Sequence, residues 1–170
     1  MTERDPELQR LIDESAIRKL LASYPRALDR QDHDLLASLF HPDAIDDHGP
    51  FNGPAAGFVE FMRKGGKPGV HWTHHNGTQI IEIDGDTAEA ETYCIALCRQ
   101  AAAGQDGYDK EIFLRVRYLD RVERRNDVWK IAHRRVVYSP CHIISSDSQF
   151  PITESYLTEA AHPVDEVYRW

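Results

Sequence analysis

YPRALDRQDHDLLASLFHPD, residues 24–43, joins the end of one helix to a charged break, a second short helix and a stop at His41-Pro42. Asp29 sits at the break, one residue past Leu28, the last apolar position of the first helical stripe. A carboxylate there lies at the rim of the core that the helix covers. It serves either as a surface cap or as a base at the mouth of a pocket, and both readings stay open at this point. Upstream, Asp5-Pro6-Glu7 reads as an N-cap with proline in the first turn. Leu8, Leu11, Ile12, Ile17, Leu20, Leu21, Tyr24 and Leu28 then recur at helical spacing. Pro25 removes the bond its N–H would make to Leu21, so a kink is expected in the last turn. Downstream, Asp32 is placed to cap a second helix burying Leu35, Leu36, Leu39 and Phe40, which Pro42-Asp43 ends.

Ala44-Ile45 is expected to start a short strand before the turn His48-Gly49-Pro50. Gly53-Pro54 then opens a third helix with Phe58, Val59, Phe61 and Met62 turned inward. Residues 64–69, KGGKPG, read as a connector; the spacing and the Ser/Thr of a phosphate loop are missing. Beyond residue 70 the period changes. Residues 70–83, 87–100, 110–124 and 128–143 are long, rich in β-branched side chains and separated by the turn signals of residues 84–86, 103–107 and 125–127. Short turns imply hairpins, hence a strongly bent antiparallel sheet in sequential order. Helices first and sheet afterwards is the α+β pattern, with the helices on one face. A single domain over residues 1–144 is expected. Residues 145–170 form an extension, with a turn of helix near residues 154–160. Its aromatic end, Tyr168-Arg169-Trp170, is expected to pack on the domain or on a neighbouring subunit.

Composition narrows the function classes. The chain has 170 residues and a formal net charge of −8, which argues against a nucleic-acid or anionic-membrane partner. The N-terminus lacks the apolar stretch of a secretory signal, and no apolar run is long enough to span a bilayer. Cys94, Cys98 and Cys141 are odd in number and not arranged as a metal knuckle, so a reduced, cytoplasmic compartment is expected.

The densest polar cluster is HWTHHNG, residues 71–77. On a strand His71, Thr73 and His75 share one face, and Trp72, His74 and Asn76 the other. Only two histidines can therefore converge. With Asp29 they would make a metal site with an open position, but no supporting ligand spacing is present. In a second reading Trp72 anchors core or interface while the histidines sit in water at a strand end. In a third, one histidine works with a carboxylate as an acid–base pair. Asp120 with Arg117, Arg121, Arg124 and Arg125 reads as a solvated cross-strand ladder. His41, His48, His133, His142 and His162 have no evident partner, and Cys141 no activating base.

Several spaced pieces together carry a family resemblance: residues 17–34, IRKLLASYPRALDRQDHD; 39–44, LFHPDA; 75–79, HNGTQ; 84–90, DGDTAEA; and 118–134, YLDRVERRNDVWKIAHR. In this order the chain resembles the NTF2-like superfamily, in particular its SnoaL-like branch of dehydratases and dehydrochlorinases. The resemblance implies a cone-shaped α+β barrel of the cystatin/NTF2 kind, its apolar cavity capped by the first helix. It implies catalytic positions at Tyr24 and Asp29 on that helix, at His75 before the Asn-Gly-Thr segment, and at Arg134 five residues after Trp129. Asp29 would orient and charge His75, which takes a proton, while Tyr24 and Arg134 stabilise negative charge. Strand parity leaves a choice here: with Trp129 inward, Arg135 faces the pocket unless a bulge shifts the register. A pocket of Phe58, Met62, His71, Thr92, Cys94 and Cys98 is expected, the last three small and on one strand face. No metal and no organic cofactor is implied. The expected activity is a dehydratase-like lyase or isomerase acting on a small hydrophobic cyclic molecule. The rivals are a non-catalytic ligand-binding or assembly module and the small subunit of a ring-hydroxylating oxygenase. A homodimer or homotrimer is expected.

Overall fold

The computed structural model describes residues 5–65, 70–100, 109–146 and 153–168. Helix α1 (Pro6–Asp29) starts where the Asp5 carboxylate accepts from the Glu7 N–H at 2.9 Å. Pro25 lies inside it, buried, and the helix runs on to Asp29. Proline so near the end deletes one hydrogen bond, and the burial of Leu21, Tyr24, Ala27 and Leu28 around it holds the turn. Asp32 caps α2 (His33–Ser38), accepting from the Leu35 N–H at 2.9 Å. This helix stops earlier than expected. Phe40 opens strand β1 (Phe40–Asp47), and the Leu39 carbonyl accepts from Ile131 N–H at 2.9 Å, so Leu39 and Phe40 are buried against the sheet. After the short β2 (Asn52–Pro54), α3 (Ala55–Gly65) buries Phe58 and Val59, whereas Phe61 is exposed.

Strands β3 (Val70–Asp84), β4 (Thr87–Gln100), β5 (Asp109–Arg125) and β6 (Val128–Tyr138) form the expected antiparallel meander. The last expected strand is broken at Ser139-Pro140, where proline lacks a donor for the ladder. Its remainder is β7 (His142–Ser146), which pairs with the early part of β5. The sheet is mixed, because β1 lies parallel to β6. Its order, β2-β1-β6-β5-β4-β3, leaves it strongly curved and unclosed. The three helices cover the concave face. Ile17, Leu21 and Tyr24 of α1, Leu36 of α2 and Phe58 of α3 meet Val116, Val122, Ile131 and Val136 there. Alternate residues Ala88, Ala90, Thr92, Cys94, Ala96 and Cys98 of β4 all face inward; their small size lets α1 lie close over the sheet.

One irregularity decides an arginine. Along the β5–β6 ladder Arg121 pairs with His133 but Val122 with Ile131, so Ala132 is an extra residue in β6. The bulge reverses the alternation. Trp129, Ile131, Arg134 and Val136 are all buried, and Arg135 is exposed.

The expected ladder around Asp120 is half overturned. Asp120 is buried and holds Arg134 through two bonds of 2.7 Å. Three of the surrounding arginines do pair outside, Arg117 with Glu91, Arg121 with Glu123, and Arg125 with Asp43 and Glu123, whereas Arg124 joins the buried Asp13 to the exposed Asp86. Residues 153–168 return to the end of α1. The His162 N–H donates to the Arg30 carbonyl at 2.6 Å, Asp165 pairs with Arg30 at 3.1 Å, and the Tyr168 hydroxyl donates to Asp32 at 3.3 Å. Residues 154–160, where a turn of helix is expected, hold a single turn, and a short 3-10 helix (Glu166–Tyr168) lies beyond them. Residues 66–69 of the connector, the 103–107 turn and Arg169-Trp170 lie outside the described residues. Among the described residues no helix is long and apolar enough to cross a membrane.

Candidate active site

Asp29 is the last residue of α1, and β3 crosses beneath it. The His74 backbone N–H donates to Asp29 Oδ2 at 3.0 Å, and His74 Nδ1 lies 2.5 Å from Oδ1. Both carboxylate oxygens are thus engaged by one residue, which fixes the ring. With the Nδ1 proton directed at the carboxylate, Nε2 is the nitrogen left to accept a proton. The pair is sheltered, the His74 and Asp29 side chains being 7% and 13% exposed. The Trp72 ring stacks beside His74 at 5.6 Å between centroids.

The partner expected for Asp29, His75, is not there. It is exposed on the outer face, because adjacent strand residues point to opposite sides. His71 shares that outer face and pairs with Glu159 of the C-terminal segment at 3.2 Å. The sequence already grouped Trp72, His74 and Asn76 on one face. The large apolar Trp72 marks this face as the inward one, whereas the resemblance carried by the Asn-Gly-Thr segment points one position further, to His75.

His74 lines a cavity of about 240 Å³ under the helices. Its walls are mainly apolar, with Leu28, Phe51, Phe58, Met62, Val116 and Val136 among them, and its polar groups are His48, His74, Tyr118 and Tyr138. A second recess of about 310 Å³ shares Leu28, Phe61, Met62 and Trp72 with the first and reaches Cys98. Of the expected pocket residues, Phe58 and Met62 line the cavity and Cys98 the recess. His71, Thr92 and Cys94 line neither. Thr92 and Cys94 are buried further along β4, where α1 fills the concave face. The face was read correctly, but the helix above it leaves no open space at those two positions.

Tyr24 and Arg134 lie behind the cavity wall and do not line it. The Arg134 guanidinium rests on the Tyr24 ring at 3.8 Å and the Tyr118 ring at 4.4 Å, with Asp120 at its edge. Burial opposes its charge, but Asp120 outweighs burial and holds the arginine pKa above its ordinary value. Burial also raises the Tyr24 pKa, a rise that Arg134 opposes and Asp46 reinforces. Tyr118 is raised well above the ordinary value for the same first reason, with Tyr24 adding to it. Both phenols therefore stay neutral donors at any physiological pH. The hydroxyl-bearing residue of this group that reaches the cavity is Tyr118, not Tyr24 as expected. Arg134 is paired with Asp120 and borders the cavity only through the Tyr118 ring on which it rests.

Sequence reasoning missed a second histidine. His48, read as having no evident partner, lines the cavity, and its Nδ1 is 3.1 Å from Asp46 Oδ1. Strand alternation in β1, which buries Ala44 and Asp46, was the signal available. His41, His133 and His162 also have partners: the Glu123 carbonyl at 2.9 Å, Asp47 at 3.1 Å and Asp32 at 3.9 Å. Among the described residues no group of three or more His, Cys, Asp or Glu side chains is gathered as a metal site requires.

A family model described as a SnoaL-like domain matches residues 9–135. Similar solved structures include a candidate scytalone dehydratase from Novosphingobium aromaticivorans DSM 12444, at 20% identity and TM-score 0.69, covering 91% of this chain and 95% of that one. A hexachlorocyclohexane dehydrochlorinase, LinA-type3, from Novosphingobium barchaimii LL02 is 19% identical with TM-score 0.72, covering 86% and 99%. A candidate aromatic ring hydroxylase from Novosphingobium aromaticivorans is 25% identical with TM-score 0.64, covering 83% and 96%. No match is found among curated proteins.

Proposed function

The chain belongs to the SnoaL-like domain family, and on that premise we propose that it is a cofactor-independent lyase or isomerase of the dehydratase type, acting on a small hydrophobic cyclic molecule. One observation carries the reading: the His74–Asp29 pair, fixed at both carboxylate oxygens, with His74 on the wall of a mainly apolar cavity. His74 Nε2 takes a proton from a carbon beside a carbonyl, and Asp29 stabilises the imidazolium that forms. Tyr118, whose ring lines the cavity with Arg134 behind it, would turn its hydroxyl from Cys94 towards the oxygen that gains charge. The electron pair released then expels a leaving group or moves a double bond. Leu28, Phe58 and Met62 shield the step from water.

The test is native mass spectrometry and turnover against cyclic ketones, hydroxysteroids and polyketide phenols, with wild type beside Asp29→Asn, His74→Ala. A compound that wild type converts and the variant only binds is the expected result. A ligand bound equally by both, with conversion by neither, would leave a binding module. The outer face of the sheet exposes Ile80, Tyr93, Ile95 and Ile144, an apolar surface that suits a homodimer or homotrimer; light scattering on the purified chain gives the number of copies.

A further inference from the structure

The cavity has a second histidine–carboxylate pair, and its environment differs from the first. Asp46 lies on β1, whose inward positions are buried, and its side chain is 0% exposed. Oδ1 meets His48 Nδ1 at 3.1 Å, while Oδ2 has no hydrogen-bond partner. His48 itself is held from several sides. Its ring stacks on Phe58 at 4.6 Å, its N–H donates to the Phe51 carbonyl at 2.7 Å, and its carbonyl accepts from the Tyr138 hydroxyl at 3.4 Å. The turn that follows needs Gly49, whose φ is +72° and whose α-carbon faces the Tyr138 ring. With Nδ1 committed to Asp46, Nε2 is the free nitrogen of a ring that lines the cavity. β1, just past whose end His48 lies, and β3, which carries His74, lie towards opposite ends of the sheet order, so the two imidazoles approach the cavity from different sides.

The two carboxylates are not equally compensated. Asp29 receives a backbone N–H as well as an imidazole and keeps contact with water, whereas Asp46 is sealed and has His48 as its side-chain hydrogen-bond partner. Arg134, opposite Asp46 across the β1–β6 ladder, is bonded to Asp120 and not to Asp46, so the buried carboxylate is best matched by a cationic partner at Oδ1. The geometry points to His48 as the general acid of the site, held by Asp46 and delivering a proton to the departing oxygen. This rests on the elimination reading above and adds the class of leaving group. In the step His74 Nε2 takes the proton from the α-carbon, and the C–H electron pair becomes the new C=C bond. The C–O bond at the β-carbon breaks, and its oxygen takes the proton of His48 and leaves as water. His74 ends protonated and His48 neutral, and exchange with solvent restores both. A hydroxyl needs this proton, because hydroxide is a poor leaving group. A chloride departs as a stable anion and does not. The pocket is therefore suited to β-hydroxy carbonyl compounds.

The experiment uses α-tetralone and its β-hydroxy and β-chloro derivatives with wild type, His48→Gln, Asp46→Asn and His74→Ala. Three rates are followed: deuterium exchange at the α-carbon of α-tetralone, water loss, and chloride loss after subtraction of the spontaneous rate. His48→Gln is expected to lose roughly 10²–10⁴-fold in water loss while exchange and chloride loss stay near wild type. Asp46→Asn should lose water elimination in the same selective way. His74→Ala should lose all three. Wild-type water loss in His48→Gln with exchange intact overturns the role of His48 and leaves the lyase reading standing. An equal fall of all three rates in His48→Gln assigns it a merely structural part and also overturns the proposal. Exchange and elimination absent from wild type overturn the lyase reading and the His48 role with it.

Discussion

His74 and His75 are neighbours in the chain, as are Arg134 and Arg135, yet one of each pair is enclosed and the other faces water. On the concave face His74 is locked to Asp29, and Arg134 is pressed between aromatic rings and Asp120. On the convex face Arg135 lies 3.7 Å from Asp47, mostly exposed, and the nearby Arg117–Glu91 pair is open to solvent. The same residue types acquire different chemistry from a displacement of one position. What separates them is strand alternation, corrected at one point by the extra residue Ala132.

The contrast is sharpest in activity. His74→Ala is expected to lower turnover of any converted substrate by roughly 10²–10⁴-fold, and His75→Ala to leave it unchanged; parallel steady-state kinetics on the two variants decides it, and equal losses would undo the assignment to His74. The next effect is on stability. Asp120→Asn leaves the Arg134 charge enclosed without its partner and should cost about 3–5 kcal/mol in urea unfolding. Removing Glu91, the half-buried partner of Arg117, should cost no more than about 1 kcal/mol.

A third effect separates the faces by pH. The pKa values of Tyr24 and Tyr118 are raised by burial, so above pH ~10 the unfolded chain loses phenolic protons that the folded chain retains. The stability these groups contribute is complete below that pH and falls above it, by about 1.4 kcal/mol per pH unit for each tyrosine. Tyr24→Phe should flatten the alkaline limb of a stability–pH curve by one tyrosine's share, and an unchanged slope would contradict the burial of that phenol. The smallest effect is expected at Arg135→Ala, within about 0.5 kcal/mol; a larger loss would mean that this face is covered in solution by another copy of the chain.

The fold was largely legible. A capped helix at Pro6, a cap at Asp32, strands at the expected places and short turns between them are local signals, written in residue types a few positions apart. Asp29 was legible too, because it follows the last apolar residue of its helix. His75, Thr92 and Cys94 were misread for a different reason. Which face of β3 turns inward depends on where α1 crosses it, and whether a small inward residue borders open space depends on how far α1 extends above it. Neither is a local quantity. Asp120 looked like surface because it is flanked by arginines, yet its true partner, Arg134, arrives from the adjacent strand. His48 reads as part of the turn His48-Gly49-Pro50, without a partner, until β1 is known to lie against β6 with Asp46 buried.

By itself, then, the sequence determined the α+β class, the capped helices, the meander and the carboxylate at the end of α1, because these follow from periodicity, capping and turn chemistry over short spans. Only the tertiary structure decided which histidine meets Asp29, which arginine is enclosed, and that a second histidine–carboxylate pair borders the same cavity. Those outcomes depend on a one-residue bulge, on a parallel strand pairing between distant segments, and on the line of a helix across a curved sheet. Each of these is settled by long-range packing that no short window of sequence contains.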